Sequence, residues 1–366
     1  MTRARRVCAR GAIVLAIALG PGAASAASPG HAADPDLGSA RAAAQELPRL
    51  HSLLVSWRGT LVLEHYARGI RPERPANVKS VSKSLISALV GIAIERKLLP
   101  GVETPISRFF PQLLTDPDSR KAAITIEDLL SMRSGLESTS SRNYGAWVTS
   151  RNWVQYVLSR PVVSQPGTTM EYSTGSSHLL SAIVTMASRN TTHGFAQEAL
   201  ATPLGWTLPR WPRDPQGIYF GGNDMLLTPR QMLGFGELYL RRGRAGGRQV
   251  VPARWVDTSC VPRGQSRYNP DQFYGYGWWT RRFAGQESCF AWGFGGQYIF
   301  VFPALDLVVV TTSTPDVSDE RRGHRRLLFD ILERHIIPQV EAIPGETAAS
   351  SPAAMRLVAP RSEGQP

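Results

Sequence analysis

The side chains best suited to chemistry are Ser80 and Lys83, which lie three residues apart in the run Ser80-Val81-Ser82-Lys83. On a helix this step puts both side chains on one face, within reach of a hydrogen bond. A serine hydroxyl is a weak nucleophile that needs a base beside it. A lysine among apolar neighbours binds its proton less tightly and can act as that base, whereas an arginine stays protonated. The spacing therefore predicts a serine nucleophile activated by a lysine.

The composition makes this lysine informative. The chain has 366 residues and 41 lysines and arginines, of which only Lys79, Lys83, Lys97 and Lys121 are lysines. The chain therefore has a lysine at this position although nearly all its other basic residues are arginines. The simpler alternative is an ordinary helix start, with a capping serine and a solvated lysine.

The surrounding motifs decide between these readings, because their order resembles a known family. The helix pattern continues after Lys83 as Ser-Leu-Ile-Ser-Ala-Leu-Val-Gly-Ile-Ala, and further matching motifs lie at Thr125–Glu137, Pro166-Gly167, Glu171–Thr174, Thr228–Arg230, Tyr274–Trp279 and Trp292–Phe302. Together they resemble the serine β-lactamase and penicillin-binding-protein-like hydrolases over roughly residues 50–335. The class C-type branch, with its esterases and 6-aminohexanoate-dimer hydrolases, is the most similar.

The resemblance implies a role for each matching residue. Ser80 would be the acyl-accepting nucleophile and Lys83 its base or proton relay. Tyr172 matches the tyrosine of the family's Tyr-x-Asn element, which exchanges protons with the nucleophile and the leaving group. A neighbouring Lys83 ammonium would favour the phenolate form of Tyr172. The alternative for Tyr172 is a core tyrosine with a satisfied hydroxyl.

Two departures from the family pattern bear on the substrate. Thr174 stands where the family often has asparagine, so an amide that binds substrate is missing. The third family element falls at Ala291-Trp292-Gly293 and lacks the cation that holds a substrate carboxylate. Both changes argue against efficient β-lactam hydrolysis and favour an aminohexanoate-hydrolase or esterase activity.

The remaining site residues are predicted from the same motifs. Backbone N–H groups of Ser80, Gly293, Phe294 and Gly295 are candidates for an oxyanion hole. Alternatively, the glycines form only a strand bend. Tyr144, Trp147, Thr174 and Trp292 are candidates for the substrate groove, and Trp153 could contribute, although some of these aromatic residues must be core.

Other chemistries have less support. His178 is predicted to be a packed histidine rather than a groove residue. The chain has no Gly-x-Ser-x-Gly elbow and no His-Glu-x-x-His zinc motif. Gly293-Phe294-Gly295 is a poor dinucleotide fingerprint, because a third glycine and a following helix are absent. We expect no metal and no cofactor.

The first residues predict export. Residues 1–26 combine four arginines with the apolar run Gly11–Leu19 and end in Ala24-Ser25-Ala26, which is typical of a signal peptide cleaved near Ala26. The apolar run is too short for a transmembrane helix, so no stable membrane anchor is expected. Arg5-Arg6 leaves open a twin-arginine signal instead of the general secretory route. We expect a periplasmic or secreted protein.

The positive charge does not predict a nucleic-acid partner. Cleavage at Ala26 removes four arginines and no acidic residue, which lowers the formal net charge from +12 to +8. The other arginines are scattered rather than gathered into a basic stripe with interleaved aromatic residues. The expected partner is a small amide or ester substrate.

The element pattern predicts an α+β fold. Strand patterns at 52–57, 60–66, 276–281, 297–302 and 307–312 frame a mainly helical block, which predicts an antiparallel sheet built from both chain ends and flanked by helices. The predicted segments are a spacer at 27–46, a hydrolase domain at 47–340 and a flexible tail at 341–366. Within the domain, an α/β part spans 47–100 and 241–340, and a helical insert spans 101–240. A buried helix is predicted at 80–99 and an amphipathic helix at 319–336.

Cys260 and Cys289 either form a disulfide in an oxidising compartment or are two buried thiols.

Three functions follow from the sequence. The first is an exported serine hydrolase that forms an acyl-enzyme with an amide or ester. The second is a β-lactamase or D-Ala peptidase. The third is a non-catalytic member of the same fold that binds a ligand or partner.

Overall fold

The fold is built around a sheet whose strands come from both ends of the chain. The computed structural model describes residues 34–321 and 323–343. In this part of the chain, eight strands form one antiparallel sheet in the order β2-β1-β12-β11-β10-β9-β8-β7. They are β1 (Leu50–Trp57), β2 (Thr60–Tyr66), β7 (Gly264–Gln265), β8 (Phe273–Tyr274), β9 (Trp279–Phe283), β10 (Gln286–Gly293), β11 (Gln297–Phe302) and β12 (Leu307–Ser313). The predicted α+β architecture is confirmed.

Short strands and helices complete the described chain. The short strands are β3 (Ala76–Asn77), β4 (Leu226–Leu227), β5 (Arg244–Ala245) and β6 (Arg248–Gln249). The helices are α1 (Gly38–Gln45), α2 (Ser82–Glu95), α3 (Ile126–Leu130), α4 (Tyr144–Val148), α5 (Trp153–Leu158), α6 (Thr174–Ser188), α7 (Thr192–Ala196), α8 (Pro229–Leu240), α9 (Ala253–Ser259), α10 (His324–Asp330) and α11 (Ile337–Glu341). Single 3₁₀ turns connect several of them, and π-helical turns extend α7 and join α10 to α11. No helix among these residues is long and apolar enough to cross a membrane.

Other elements cover both faces of the sheet. Successive side chains of a strand point to opposite faces, so each strand contributes to both. Leu54, Ile299 and Val310 pack on the face that carries α2, α6 and α8. Their neighbours Leu53 and Phe300 pack on the opposite face, with side chains of α1 and α10. The central strands are therefore buried along their whole length.

Local sequence explains the first hairpin. Arg58 and Gly59 join β1 to β2, and both have positive φ angles of 50° and 77°. Two left-handed residues match the type I′ turn that suits the right-handed twist of paired strands. The hairpin predicted around Arg58-Gly59 is present.

The helix that carries the candidate nucleophile is buried nearly all round. Every residue from Ser82 to Ala93 is buried. Gly91 permits this packing, because a Cβ there would overlap the indole ring of Trp255 on α9. The small residues of the predicted helix thus allow close approach on several sides.

Two boundaries of the predicted segments need correction. Part of the predicted spacer at 27–46 forms α1, whose Ala40 and Ala44 are buried against the second face of the sheet. The predicted helical insert at 101–240 ends too late, because α8 packs on the sheet itself. A Cβ on Gly236 would overlap the side chains of Val308 and Ile299. Residues 1–26 and the predicted tail beyond Ile343 lie outside the described residues.

The sequence pattern also missed β10. This strand follows a tight turn at Ala284 and Gly285, both with positive φ, and begins with the polar residues Gln286, Glu287 and Ser288. Its polar start hides the alternation that a strand pattern requires. The predicted helix at 319–336 is divided in the structure into a 3₁₀ turn, α10 and a π-helical turn.

Cys260 and Cys289 form a disulfide that ties the end of α9 to β10, with a Cα–Cα distance of 5.7 Å. Both residues are buried. Closing a loop of 29 residues removes chain entropy worth about 3.5 kcal/mol from the unfolded state. The disulfide therefore stabilises the strand that ends at Gly293.

Candidate active site

Ser80 and Lys83 lie together where a 3₁₀ turn at Lys79–Val81 leads into α2. Lys83 Nζ is 2.9 Å from Ser80 Oγ. The same nitrogen is 2.6 Å from the carbonyl oxygen of Gly222 and 3.3 Å from Thr174 Oγ1. Lys83 is 2% exposed, whereas Ser80 is half-buried and remains accessible. The pair is thus a buried amine beside an accessible hydroxyl.

Burial changes the protonation of Lys83. It lowers the pKa of this amine from 10.5 to about 7, and the Asp224 carboxylate opposes the shift. A neutral amine has two N–H donors and one lone pair. The Gly222 carbonyl can only accept a hydrogen bond, so it accepts one from the first N–H of Lys83. Thr174 Oγ1 is placed to accept the hydrogen bond of the second N–H. The lone pair is then left for the Ser80 hydroxyl, which is the arrangement of a general base and its nucleophile.

The ring of Tyr172 lies near the Lys83 amine. Its ring centroid is 5.0 Å from Lys83 Nζ, and the ring stacks on Trp279 at 5.6 Å. Burial raises the pKa of Tyr172 above its ordinary value of 10, although a hydrogen bond with the Ser80 side chain opposes the shift. The expectation that Lys83 favours a phenolate is therefore wrong. Burial favours the neutral form of each group, which is the deprotonated amine for Lys83 and the protonated hydroxyl for Tyr172.

These shifts predict a pH profile with a definite sign. The base works only when Lys83 is deprotonated, so kcat/KM for an ester should rise with pH through a midpoint near 7. Because the pKa of Tyr172 is raised above 10, no falling limb should appear below pH 9. Initial rates between pH 5 and 9, corrected for spontaneous ester hydrolysis, measure the profile. A midpoint near 10, as for a solvated lysine, would contradict the buried base.

The third family element lies beside the nucleophile. Gly293 ends β10 and packs against the backbone of Val78, where any Cβ would overlap the Val78 carbonyl. Phe294 follows, with the Arg321 guanidinium 4.7 Å from its ring centroid. Gly295 has a φ of 91° and turns the chain against Thr314. Gly293 thus borders the turn that holds Ser80, and the glycines also form the bend that connects β10 to β11.

Three of the four predicted groove residues, Thr174, Tyr144 and Trp292, are described first, because the fourth, Trp147, lies in the core. Thr174 Oγ1 is 3.0 Å from Ser140 Oγ and contacts Lys83. Tyr144 is half-buried and its hydroxyl accepts a hydrogen bond of 3.0 Å from Asn223 Nδ2. Trp292 is half-buried beside Trp279.

Trp147 is not a groove residue, which corrects the prediction. It is fully buried, and its ring packs against Trp153, Phe220 and His178. Its indole N–H donates to the Trp153 carbonyl oxygen. The residue satisfies its only polar atom inside the core and so presents nothing to a substrate.

His178 lies in the core and binds the backbone next to the Lys83 site. It is fully buried, as expected for a packed histidine, and its Nε2 is 3.0 Å from Asp214 Oδ2. Its Nδ1 accepts the N–H of Gly221, so the proton lies on Nε2 and is donated to Asp214. The contact holds the backbone next to Gly222, the residue whose carbonyl binds Lys83.

Sequence reasoning missed the segment at 221–224. Gly222 supplies the carbonyl for Lys83, and Asn223 and Asp224 line the same region. These residues lie about 140 positions from Lys83 and carry no motif of their own. The described residues contain no group of three or more His, Cys, Asp or Glu that could hold a metal ion.

Comparisons with known proteins give a consistent family. A family model described as Beta-lactamase matches residues 51–333. The curated 6-aminohexanoate-dimer hydrolase of Paenarthrobacter ureafaciens is 26% identical over 298 residues, which cover 73% of each chain.

Solved structures agree on the fold. A class C beta-lactamase from Rhodobacter sphaeroides has a TM-score of 0.61 at 17% identity, covering 81% of this chain and 98% of the other. EstCE1, a hydrolase with promiscuous acyltransferase activity, has a TM-score of 0.66 at 17% identity, covering 81% and 97%. At these identities the likeness concerns the fold alone.

Proposed function

The chain belongs to the beta-lactamase family and is a serine hydrolase, and from that premise we propose that it hydrolyses, through an acyl-enzyme on Ser80, an amide or ester that carries no carboxylate next to the scissile bond. The observation that carries the proposal is the hydrogen bond of 2.9 Å between Ser80 Oγ and a lysine whose pKa is lowered to about 7. A serine with such a base is a nucleophile at neutral pH.

The proposed steps use only groups of this chain. The Ser80 hydroxyl attacks the substrate carbonyl and its proton passes to Lys83 Nζ. The Tyr172 hydroxyl, which keeps its proton up to high pH, donates to the leaving nitrogen or oxygen and is reprotonated by the Lys83 ammonium. In the second half, water attacks the acyl group and its proton returns through the same pair to Ser80. Backbone N–H groups of Ser80 and of the Gly293–Gly295 segment are the proposed donors to the oxyanion.

The charge of the site supports a substrate without a carboxylate next to the scissile bond. Ala291, Trp292 and Gly293 offer no cation to a substrate carboxylate. The nearby Lys79 ammonium is already paired with Asp224 at 3.0 Å. A carboxylate next to the scissile bond, as in a β-lactam, would therefore find no cation in this element and no unpaired ammonium at Lys79. The curated relative named as a 6-aminohexanoate-dimer hydrolase supports a linear amide as one substrate class.

The test combines a covalent label with three substrates. A fluorophosphonate should label the purified protein once, at the peptide that contains Ser80, as located by mass spectrometry. A short p-nitrophenyl ester and a linear 6-aminohexanoate dimer should be turned over faster than nitrocefin. Preferred turnover of nitrocefin would support the β-lactamase alternative. Absence of both label and turnover would leave the non-catalytic alternative.

We also propose that the enzyme is exported with cleavage near Ala26. The signal-like pattern of residues 1–26 supports this, and the Cys260–Cys289 disulfide suits an oxidising compartment. Expression of the full chain in a bacterial host should yield protein in the periplasm or medium that begins near Ala27 and has no free thiol. Deleting residues 1–26 should retain the protein in the cytosol with both thiols free. An uncleaved cytosolic product from the full chain would contradict export.

A further inference from the structure

Two residues that flank the Ser80–Lys83 pair have strained backbones. Lys79, directly before Ser80, has a φ of 51°, and Asp224, two residues after Gly222, has a φ of 63°. The left-handed region is unfavourable for a residue with a side chain, because Cβ approaches the following carbonyl oxygen. Such strain persists only where surrounding contacts impose it. The contacts that impose it here involve both residues at once.

Asn77 links the two strained residues. Its Oδ1 accepts the backbone N–H of Lys79 at 3.0 Å, and its Nδ2 donates to Asp224 Oδ1 at 2.8 Å. Lys79 Nζ closes the triangle with an ion pair to the same Asp224 oxygen at 3.0 Å. The two charged side chains are only 23% and 22% exposed, so their attraction is less screened than on an open surface.

Backbone contacts extend the same link toward α2. Asn77 pairs with Leu226 in the short β3–β4 ladder, and the Val78 N–H donates to the Met225 carbonyl. Ser82 Oγ donates to the Lys79 carbonyl and accepts the Met225 N–H. One segment carries Ser80, and the other carries the Gly222 carbonyl that binds Lys83. Their separation therefore affects where Lys83 Nζ lies relative to Ser80 Oγ, because this nitrogen binds the Gly222 carbonyl.

We propose that Asn77, Lys79 and Asp224 form a positioning clamp that holds Ser80 Oγ at hydrogen-bond distance from Lys83 Nζ. The proposal rests on the proposed function, in which Ser80 is the nucleophile and Lys83 its base. The three residues are positioning residues, because they act on the reaction through Ser80 and Lys83. A displacement of about 1 Å at such a pair lowers the rate by as much as about 100-fold.

The clamp also has an electrostatic consequence. Around Lys83, Tyr172 is uncharged, Asp224 is an anion that raises the pKa of the amine, and Lys79 is a cation paired with that anion. Removing the anion leaves the Lys79 ammonium to repel a charged Lys83. Removing the Lys79 charge leaves Asp224 free to favour the charged form. The two single substitutions should therefore move the pKa of Lys83 in opposite directions.

The experiment measures the second-order rate of fluorophosphonate labelling at Ser80 between pH 5 and 9. We expect Asp224→Asn to move the midpoint to lower pH and Lys79→Met to move it to higher pH. The double variant should return the midpoint close to that of the wild type, with a rate that stays lower. Asn77→Ala should lower the plateau rate about tenfold or more with little change of midpoint, because it removes a link without removing a charge.

A matched control separates the clamp from ion pairs in general. Glu64→Gln breaks the ion pair between Glu64 on the edge strand β2 and Arg230, and should leave both rate and midpoint unchanged. If Asn77→Ala does not fold, the double variant decides, because its midpoint returns close to that of the wild type while a lost clamp keeps its plateau rate lower. Unchanged rates and midpoints in folded clamp variants would overturn the proposal. Absence of labelling in the wild type would instead refute the proposed function, so the two failures are distinguishable.

Discussion

Replacing Lys83 by methionine is expected to lower kcat/KM for an ester about 10³-fold, because it removes the proposed base of Ser80. Methionine keeps a long flexible side chain in the same buried space between Gly222 and Thr174. The loss would then reflect the missing lone pair rather than a cavity. Steady-state kinetics at pH 8, where most of the wild-type Lys83 is deprotonated, give the ratio.

The same substitution has an expected effect on stability. In the folded protein the pKa of Lys83 is lowered to about 7, whereas in the unfolded chain it has its ordinary value of 10.5. Between these values the unfolded chain binds the extra proton, so wild-type stability gains about 1.4 kcal/mol per pH unit from this group as pH rises. Below pH 7 the cost of burying the amine is fully present. The advantage of Lys83→Met over the wild type should therefore be largest at pH 7 and below, and shrink toward pH 10.

Urea unfolding of both proteins from pH 6.5 to 9.5 measures this difference directly. Lys83→Arg is the matched control, because it keeps a cation that cannot act as a base at these pH values. It should be as inactive as Lys83→Met but less stable than the wild type throughout. A constant stability difference between Lys83→Met and the wild type across the pH range would show that Lys83 titrates normally.

Replacing Ser80 by alanine is expected to abolish fluorophosphonate labelling and to lower ester turnover by at least about 10⁴-fold. Alanine removes the hydroxyl that lies 2.9 Å from the Lys83 amine, and with it the proposed acyl acceptor. Folding should survive, because Ser80 is half-buried and the Gly222 and Thr174 contacts of Lys83 remain. Intact-mass spectrometry after labelling and thermal unfolding give the two readouts.

Ser87 on α2, the helix that follows the Ser80 turn, provides the control for this variant. Its hydroxyl is buried and has no hydrogen-bond partner, so Ser87→Ala removes a similar atom from α2 without touching the site. Labelling should stay at the wild-type rate in Ser87→Ala. Undiminished labelling in Ser80→Ala would place the nucleophile elsewhere and refute the acyl-enzyme on Ser80.

Local sequence was sufficient for features whose geometry is local. The step from Ser80 to Lys83 implied a shared face, and their contact is a hydrogen bond of 2.9 Å. The Arg58-Gly59 turn implied the β1–β2 hairpin, because only a few turn types accept two left-handed residues. The runs of aromatic and β-branched residues at 297–302 and 307–312 indicate strands, and β11 and β12 pair there. In each case neighbours along the chain determine the geometry.

Features set by packing could not be derived in this way. Trp147 has the residue type of a groove aromatic, yet the shape of the core around Phe220 places it inside. The location of α8 on the sheet depends on a glycine that fits against side chains of β11 and β12. Gly222 has no sequence signal, since its role is a carbonyl that any residue carries.

The sequence by itself determined which groups react in this proposal, and the tertiary structure decided their protonation and placement. The types and spacing of Ser80 and Lys83 indicate a nucleophile and its base, and the resemblance to the family implies the role of Tyr172. Their protonation could not be derived from the sequence, because desolvation depends on every atom packed around a group rather than on its neighbours in the chain. Burial lowers the pKa of Lys83 and raises that of Tyr172, and so makes one a base and the other an acid.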